Sequence, residues 1–163
     1  MALNFHENAP YPYFILTNNT TQTHASSGLQ VNFARTASDS SDPGGYVDST
    51  GVFTAPVKGL YHFSTTLCVG GPGNTAKATD IARYGFVTSS SNYGTSGSDR
   101  FLFAWEDFKR FSDSTVYHSA HISGALFLNQ GDTVAVYTSN VGTAIVFPAF
   151  YSWFTGHLIT AFV

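Results

Sequence analysis

Residues 45–63 limit what this chain can fold into more than any other stretch. A turn holding Gly45 feeds a short apolar run that stops at Pro56. A second turn at Lys58-Gly59 then releases a longer run in which apolar and polar residues alternate. Alternation at period two puts successive side chains on opposite faces of an extended strand. No amphipathic helical stripe persists anywhere before Gly or Pro interrupts it. Short runs rich in Val, Ile, Thr, Tyr and Phe, bounded by Gly, Asn, Ser and Pro, recur along all 163 residues and predict an all-β chain.

In chain order, the pattern predicts strands over 13–17, 29–34, 52–55, 60–70, 81–88, 100–105, 116–128, 133–139 and 152–163. The pair 116–128 and 133–139 reads as a hairpin around Asn129-Gln130-Gly131-Asp132. Residues 18–28, 37–45, 70–77, 89–98 and 107–115 read as connections. With no repeat and no linker, residues 1–163 form one domain with enough interior for a core.

Composition narrows the function classes. Charged residues make up only 10% and aromatics 16% of the chain. A surface so poor in charge is expected to be covered in part by copies of the same chain. A net charge of −3 with seven Lys and Arg lacks the electrostatic footprint of a nucleic-acid binder. No apolar run approaches the roughly twenty residues of a membrane helix, so no membrane insertion is expected. Met1 is followed by neither a basic segment nor an apolar signal core. The single Cys68 excludes an intrachain disulfide and leaves the redox compartment open.

Three blocks carry a family resemblance. In the first, residues 46–63, Tyr46 is followed seven positions on by Phe53 and six further by Gly59, then by Tyr61 and Phe63. The second, residues 124–134, runs from an apolar strand through Gly131-Asp132 into another apolar strand. The third, residues 154–159, sets Phe154, Thr155 and Gly156 before a hydrophobic pair. Together they resemble the C1q globular domain, within the wider C1q/tumour-necrosis-factor group. Thr65 stands where that pattern has a further aromatic, and Ser41 where it has Asn or Asp. Arg35 stands near an expected aromatic for which Phe33 is the closest match. The resemblance implies a ten-strand jelly-roll β-sandwich that assembles as a homotrimer, with an inner sheet built partly from 60–70, 116–128 and 152–163. No Gly-X-Y stalk is encoded.

Strand parity then sorts the side chains. Tyr61, Phe63, Leu67 and Val69 share one face, and His62 lies on the other. Ile122, Leu126 and Leu128 oppose Tyr117, His121 and Phe127; Phe154 and Leu158 oppose Trp153, His157 and Ile159. If the first face of each set fills the sandwich, His62, Tyr117, His121, Phe127, Trp153 and His157 point outward, where the resemblance implies that subunits meet. Histidines placed there would make assembly acid-sensitive, because burial disfavours their charged form. Hydrogen-bonded packing histidines, or a register slipped by one residue, are the plainer alternatives.

No metal site or cofactor is expected, since no His-x-x-x-His or EF-hand spacing exists. Catalysis is not expected either. Cys68 and His62 share parity but stand roughly 20 Å apart along the strand, and no Gly-x-Ser-x-Gly elbow is present. Cys68 reads as a small core or interface hydrophobe. Candidate ligand contacts are Tyr93, an amphipathic ring in a Gly/Ser loop, and Lys109 with Arg110, which can address carboxylate or sulfate groups. Ordinary loop chemistry is the plainer account of each residue taken singly. Asn18-Asn19-Thr20-Thr21 holds two overlapping glycosylation sequons.

Within the resemblance, the expected function is a non-catalytic extracellular recognition module of innate-immune type, binding surface glycans like a lectin or engaging a protein surface. Two other readings stand beside it. One is a structural or attachment head of a phage or viral fibre or coat, exposed on the virion. The other is a receptor ligand of the tumour-necrosis-factor kind.

Overall fold

The computed structural model describes residues 12–24, 29–33, 46–49, 51–70, 81–88, 100–107, 117–141, 145–147 and 149–162. Eleven strands and no helix occur among them: β1 Tyr13–Thr17, β2 Gln22–His24, β3 Leu29–Gln30, β4 Phe53–Thr54, β5 Gly59–Gly70, β6 Ile81–Thr88, β7 Arg100–Asp107, β8 Tyr117–Leu128, β9 Thr133–Val141, β10 Ile145–Phe147 and β11 Trp153–Ala161. One sheet has the order β1-β11-β5-β8. A second runs β3-β9-β6-β7, with β4 also paired to β9, and β10 pairs with β2 in a small third sheet. Every pairing among these strands is antiparallel.

The expected strands at 13–17 and 81–88 coincide with β1 and β6, and 60–70 is β5 extended by Gly59. Three expectations need correction. The strand expected over 29–34 is only β3, Leu29–Gln30, and residues 31–33 lie outside any strand. The polar stretch 18–28 contains β2, which its Gln, Thr and His content concealed. Strands β8 and β9 are not a hairpin. β8 pairs with β5, whereas β9 pairs with β3, β4 and β6, so the turn between them carries the chain from one sheet to the other. Hydrogen bonds to a third segment hold that corner open. Gly131 N–H donates to the Ala55 carbonyl and Ala55 N–H to the Asp132 carbonyl, both at 2.8 Å. The Asp132 carboxylate accepts from the Asn129 amide at 2.8 Å, and Gly131 takes the positive φ of 88° that the corner requires.

The core lies between the two larger sheets. From the four-stranded sheet come Phe14, Leu16, Tyr61, Phe63, Leu67, Val69, Ile122, Leu126, Leu128 and Phe154; Phe53, Phe86, Val134 and Val136 answer from the other. Phe63 is the hub of an aromatic cluster, its ring centroid 5.3 Å from Phe53, 6.0 Å from Phe86 and 6.0 Å from Phe154. Phe14 stands 4.9 Å from Phe154, edge-on. Such pairs add about 0.5–1.5 kcal/mol each beyond the burial of their area. Phe33, the near match to the expected aromatic, is fully buried with its ring 5.7 Å from Phe154. Thr65 also occupies a fully buried position, and its hydroxyl donates to the Trp153 carbonyl at 2.8 Å. A polar side chain is tolerated there because its hydrogen bond offsets desolvation. Tyr61 does likewise, donating to the Val57 carbonyl at 2.7 Å, while burial pushes its phenol pKa up.

The turn before β11 is fastened to the end of β1. Asn18 N–H donates to the Ser152 carbonyl at 3.1 Å, Phe150 N–H to the Asn18 carbonyl at 2.6 Å, and Ser152 N–H to Asn18 Oδ1 at 2.9 Å. The Ser152 hydroxyl accepts from the Cys68 amide at 2.9 Å. Asn18 is 0% exposed, so the first sequon places its asparagine where the folded chain cannot carry a glycan.

Two substitutions test this packing. A Cβ at Gly156 would stand 2.5 Å from Phe14 Cε1 and 2.7 Å from Phe63 Cδ1, so Gly156→Ala should destabilise the fold by about 1–3 kcal/mol through overpacking. An unchanged urea midpoint would mean that β11 has room for a methyl group beside those rings. Asn18→Ala removes the acceptor of a buried amide and should cost about 1–3 kcal/mol; a neutral result in the same urea titration would mean that the turn is held by other bonds.

Candidate functional site

The outward face of the four-stranded sheet is built from the alternate residues that the core does not use. Strand register sets them in rows. Tyr13, His157, His62 and Ala125 lie side by side across β1, β11, β5 and β8. The next row is Ile15, Thr155, Ser64 and Ser123, and the next is Thr17, Trp153, Thr66 and His121. Phe127 lies beyond one end of these rows and Tyr117 beyond the other. No outward position in these rows is an Asp, Glu, Lys or Arg.

Large apolar side chains stand exposed on this face: Tyr13, Ile15, Tyr117, Ile159, Trp153 at 43% and Phe127 at 53%. Further rings border it. Tyr151 stacks on Tyr117 at 5.5 Å, and Phe162 lies 5.4 Å from Phe127. Lys58 Nζ sits 5.6 Å from the Phe127 ring centroid, a cation held at the margin. In the turn before β11, Phe150 is 68% exposed and adopts φ 67°, a left-handed conformation uncommon for a bulky residue. The hydrogen bond that its N–H donates to the Asn18 carbonyl holds it there.

All six residues expected to point outward, His62, Tyr117, His121, Phe127, Trp153 and His157, occupy this face or its ends. His62 and His157 are direct cross-strand partners with ring centroids 5.2 Å apart. His121 is engaged differently, its Nδ1 sharing a 2.9 Å hydrogen bond with the Thr66 hydroxyl. Tyr13 and Ile15 were not singled out from the sequence. The signal was present as their alternation with Phe14 and Leu16, but five residues alone do not tell which face is buried. The candidate ligand contacts Tyr93, Lys109 and Arg110 lie outside the described residues. Among the described residues, no group of three or more His, Cys, Asp or Glu side chains is gathered to hold a metal ion, and no helix is long and apolar enough to cross a membrane.

Cys68 has outward parity yet is buried, between its β8 partner Ser119 and the turn at Ser152. Desolvation pushes its thiol pKa up, against a smaller opposing effect of the Ser119 hydrogen bond. The thiolate is the reactive form, so native protein at pH 7.5 should react with a thiol reagent far more slowly than urea-unfolded protein. Equal rates, read by absorbance, would mean that Cys68 is open to solvent.

Solved structures place this arrangement among known folds. The globular domain of zebrafish complement 1qA protein matches with a TM-score of 0.58 at 20% sequence identity, over 93% of this chain and 99% of that one. The structure of Eiger TNF from S. frugiperda matches with a TM-score of 0.68 at 13% identity, over 95% of this chain and 96% of that one. A scan against protein-family models and a search of curated proteins gave no match. At these identities the likeness speaks for the fold: this chain has the jelly-roll fold of the C1q and tumour-necrosis-factor group.

Proposed function

We propose that this domain is a non-catalytic recognition module that works outside the cell as a homotrimer of jelly rolls, each with the eleven strands described above in place of the ten that the resemblance implied. One observation carries the reading: an outward sheet face without a charged residue, studded with exposed aromatic and aliphatic side chains. Contiguous apolar surface of that kind marks an interaction site. Two further copies are its proposed occupants, met through His62, Tyr117, His121, Phe127, Trp153 and His157. The fold group supports this choice, and so does the 10% charge content of the chain, because assembly covers what a monomer would have to keep polar.

Recognition then falls to the loops. Tyr93 offers a ring for stacking on a sugar, while Lys109 and Arg110 offer cations for its carboxylate or sulfate substituents. Three copies turn weak contacts into avidity on a repetitive glycan surface. The match to an insect TNF at the higher of the two TM-scores favours a second reading, a trimeric ligand for a cell-surface receptor, in which the same loops would meet protein.

Light scattering tests the assembly. The expected mass at pH 7.5 is about three times the chain mass of 17.6 kDa, and Trp153→Lys with Phe127→Lys should lower it to that of one chain while the far-UV circular dichroism stays β-rich. A wild-type monomer would end the proposal. Glycan-array binding by the trimer, lost on replacing Lys109 and Arg110 with Ala, separates the lectin reading from the receptor ligand, for which no glycan signal is expected.

A further inference from the structure

We propose that His62 and His157 together chelate a divalent transition-metal ion of the Zn2+, Ni2+ or Cu2+ class. The two residues are register partners on neighbouring strands, and their rings stand 5.2 Å apart at an interplanar angle of 38°. A zinc–imidazole bond of about 2.0–2.1 Å puts each ring centroid roughly 3 Å from the ion, so two rings at a tetrahedral angle lie about 5 Å apart. The observed centroid spacing meets that requirement.

The surroundings favour an ion as well. Among the described residues no hydrogen bond occupies either imidazole, whereas His121 on the same face is engaged by Thr66. Ala125 flanks His62 with a side chain too short to cover it, and Tyr13 flanks His157 on the other side. No Lys or Arg occupies the rows around the pair to repel a cation. Neutral imidazole suits Zn2+, Ni2+ and Cu2+, while Ca2+ and Mg2+ demand oxygen ligands that these rows do not gather. Two protein ligands leave the remaining positions to water or to a group from a docked copy. The pair belongs to one chain, so ion binding does not depend on the assembly proposed above.

Isothermal titration of Zn2+ and Ni2+ into untagged, chelator-treated protein tests the site. Saturable binding is expected for the wild type and for His24→Gln, whose histidine lies on β2 in a separate sheet, and no heat for Mg2+. Since losing even an outer support of a ligand weakens metal binding about 10–100-fold, His62→Gln and His157→Gln should each weaken it by at least roughly tenfold. No heat in the wild type, or equal affinity in both variants, overturns the site. Should either variant fail to fold, wild-type protein settles the question: Zn2+ should lower the diethylpyrocarbonate reactivity of His62 and His157 below that of the chelator-treated protein, read by peptide mass, and equal reactivity with and without Zn2+ overturns it. A trimer that takes up no zinc removes this inference alone, and a monomer that binds zinc removes only the assembly.

Discussion

The contact on which the rest of the fold depends is the packing of Phe63 between the two sheets. Its ring comes from the middle of β5 and meets Phe53 from β4 and Phe86 from β6 across the sandwich, with Phe154 beside it on β11. Those neighbours arrive from segments far apart in the chain, so none of them can bury its ring until the sheets close. Burying a Phe side chain is worth about 1.5–3 kcal/mol. The cluster therefore rewards one topology, in which β5 and β11 are neighbours and β4 and β6 lie opposite them. Gly156 shows how close that approach is: a methyl group on its Cα would enter the rings of Phe14 and Phe63.

A strand that commits one set of residues to this core leaves the alternate set outside. On β5, β8 and β11 that second set holds His62, Tyr117, His121, Phe127, Trp153 and His157, among small hydroxyl and methyl side chains. In a chain selected to stay monomeric, such positions would carry Lys and Glu of mixed sign. Their apolar character is thus a second pattern laid over the first. Lys58 stands at the margin, where its ammonium reaches the Phe127 ring, so the interface proposed above would have an apolar centre and a polar rim.

Much of this was legible because period two is a strong signal in long strands. The inward and outward sets of β5, β8 and β11 follow from alternation once one face is known to be buried, and the aromatics at Phe63 and Phe154 decide which. Short elements carried less. β2 has only Gln22, Thr23 and His24, with no alternation of hydropathy to mark it. The corner at 129–132 has a hairpin's length and composition, yet its amide and carbonyl groups bond to Ala55, a partner fixed by tertiary structure alone. The closeness of His62 to His157 was equally hidden, because parity says which face a residue takes but not which residue stands beside it on the next strand.

That register is where core and outer face become a single constraint. Moving β11 by one residue against β5 would turn Phe154 out to solvent and drive Trp153 and His157 into the sandwich. The cost of expelling Phe154 from its aromatic neighbours therefore also holds His157 beside His62. The irregularity in this pairing falls after Leu158, where the register shifts before Thr160. A bulge there bends the strand end and leaves Ile159 exposed, while the pairs from Trp153 to Leu158 stay regular. The histidine pair thus stands on the regular side of the bulge, positioned by the same rings that close the core.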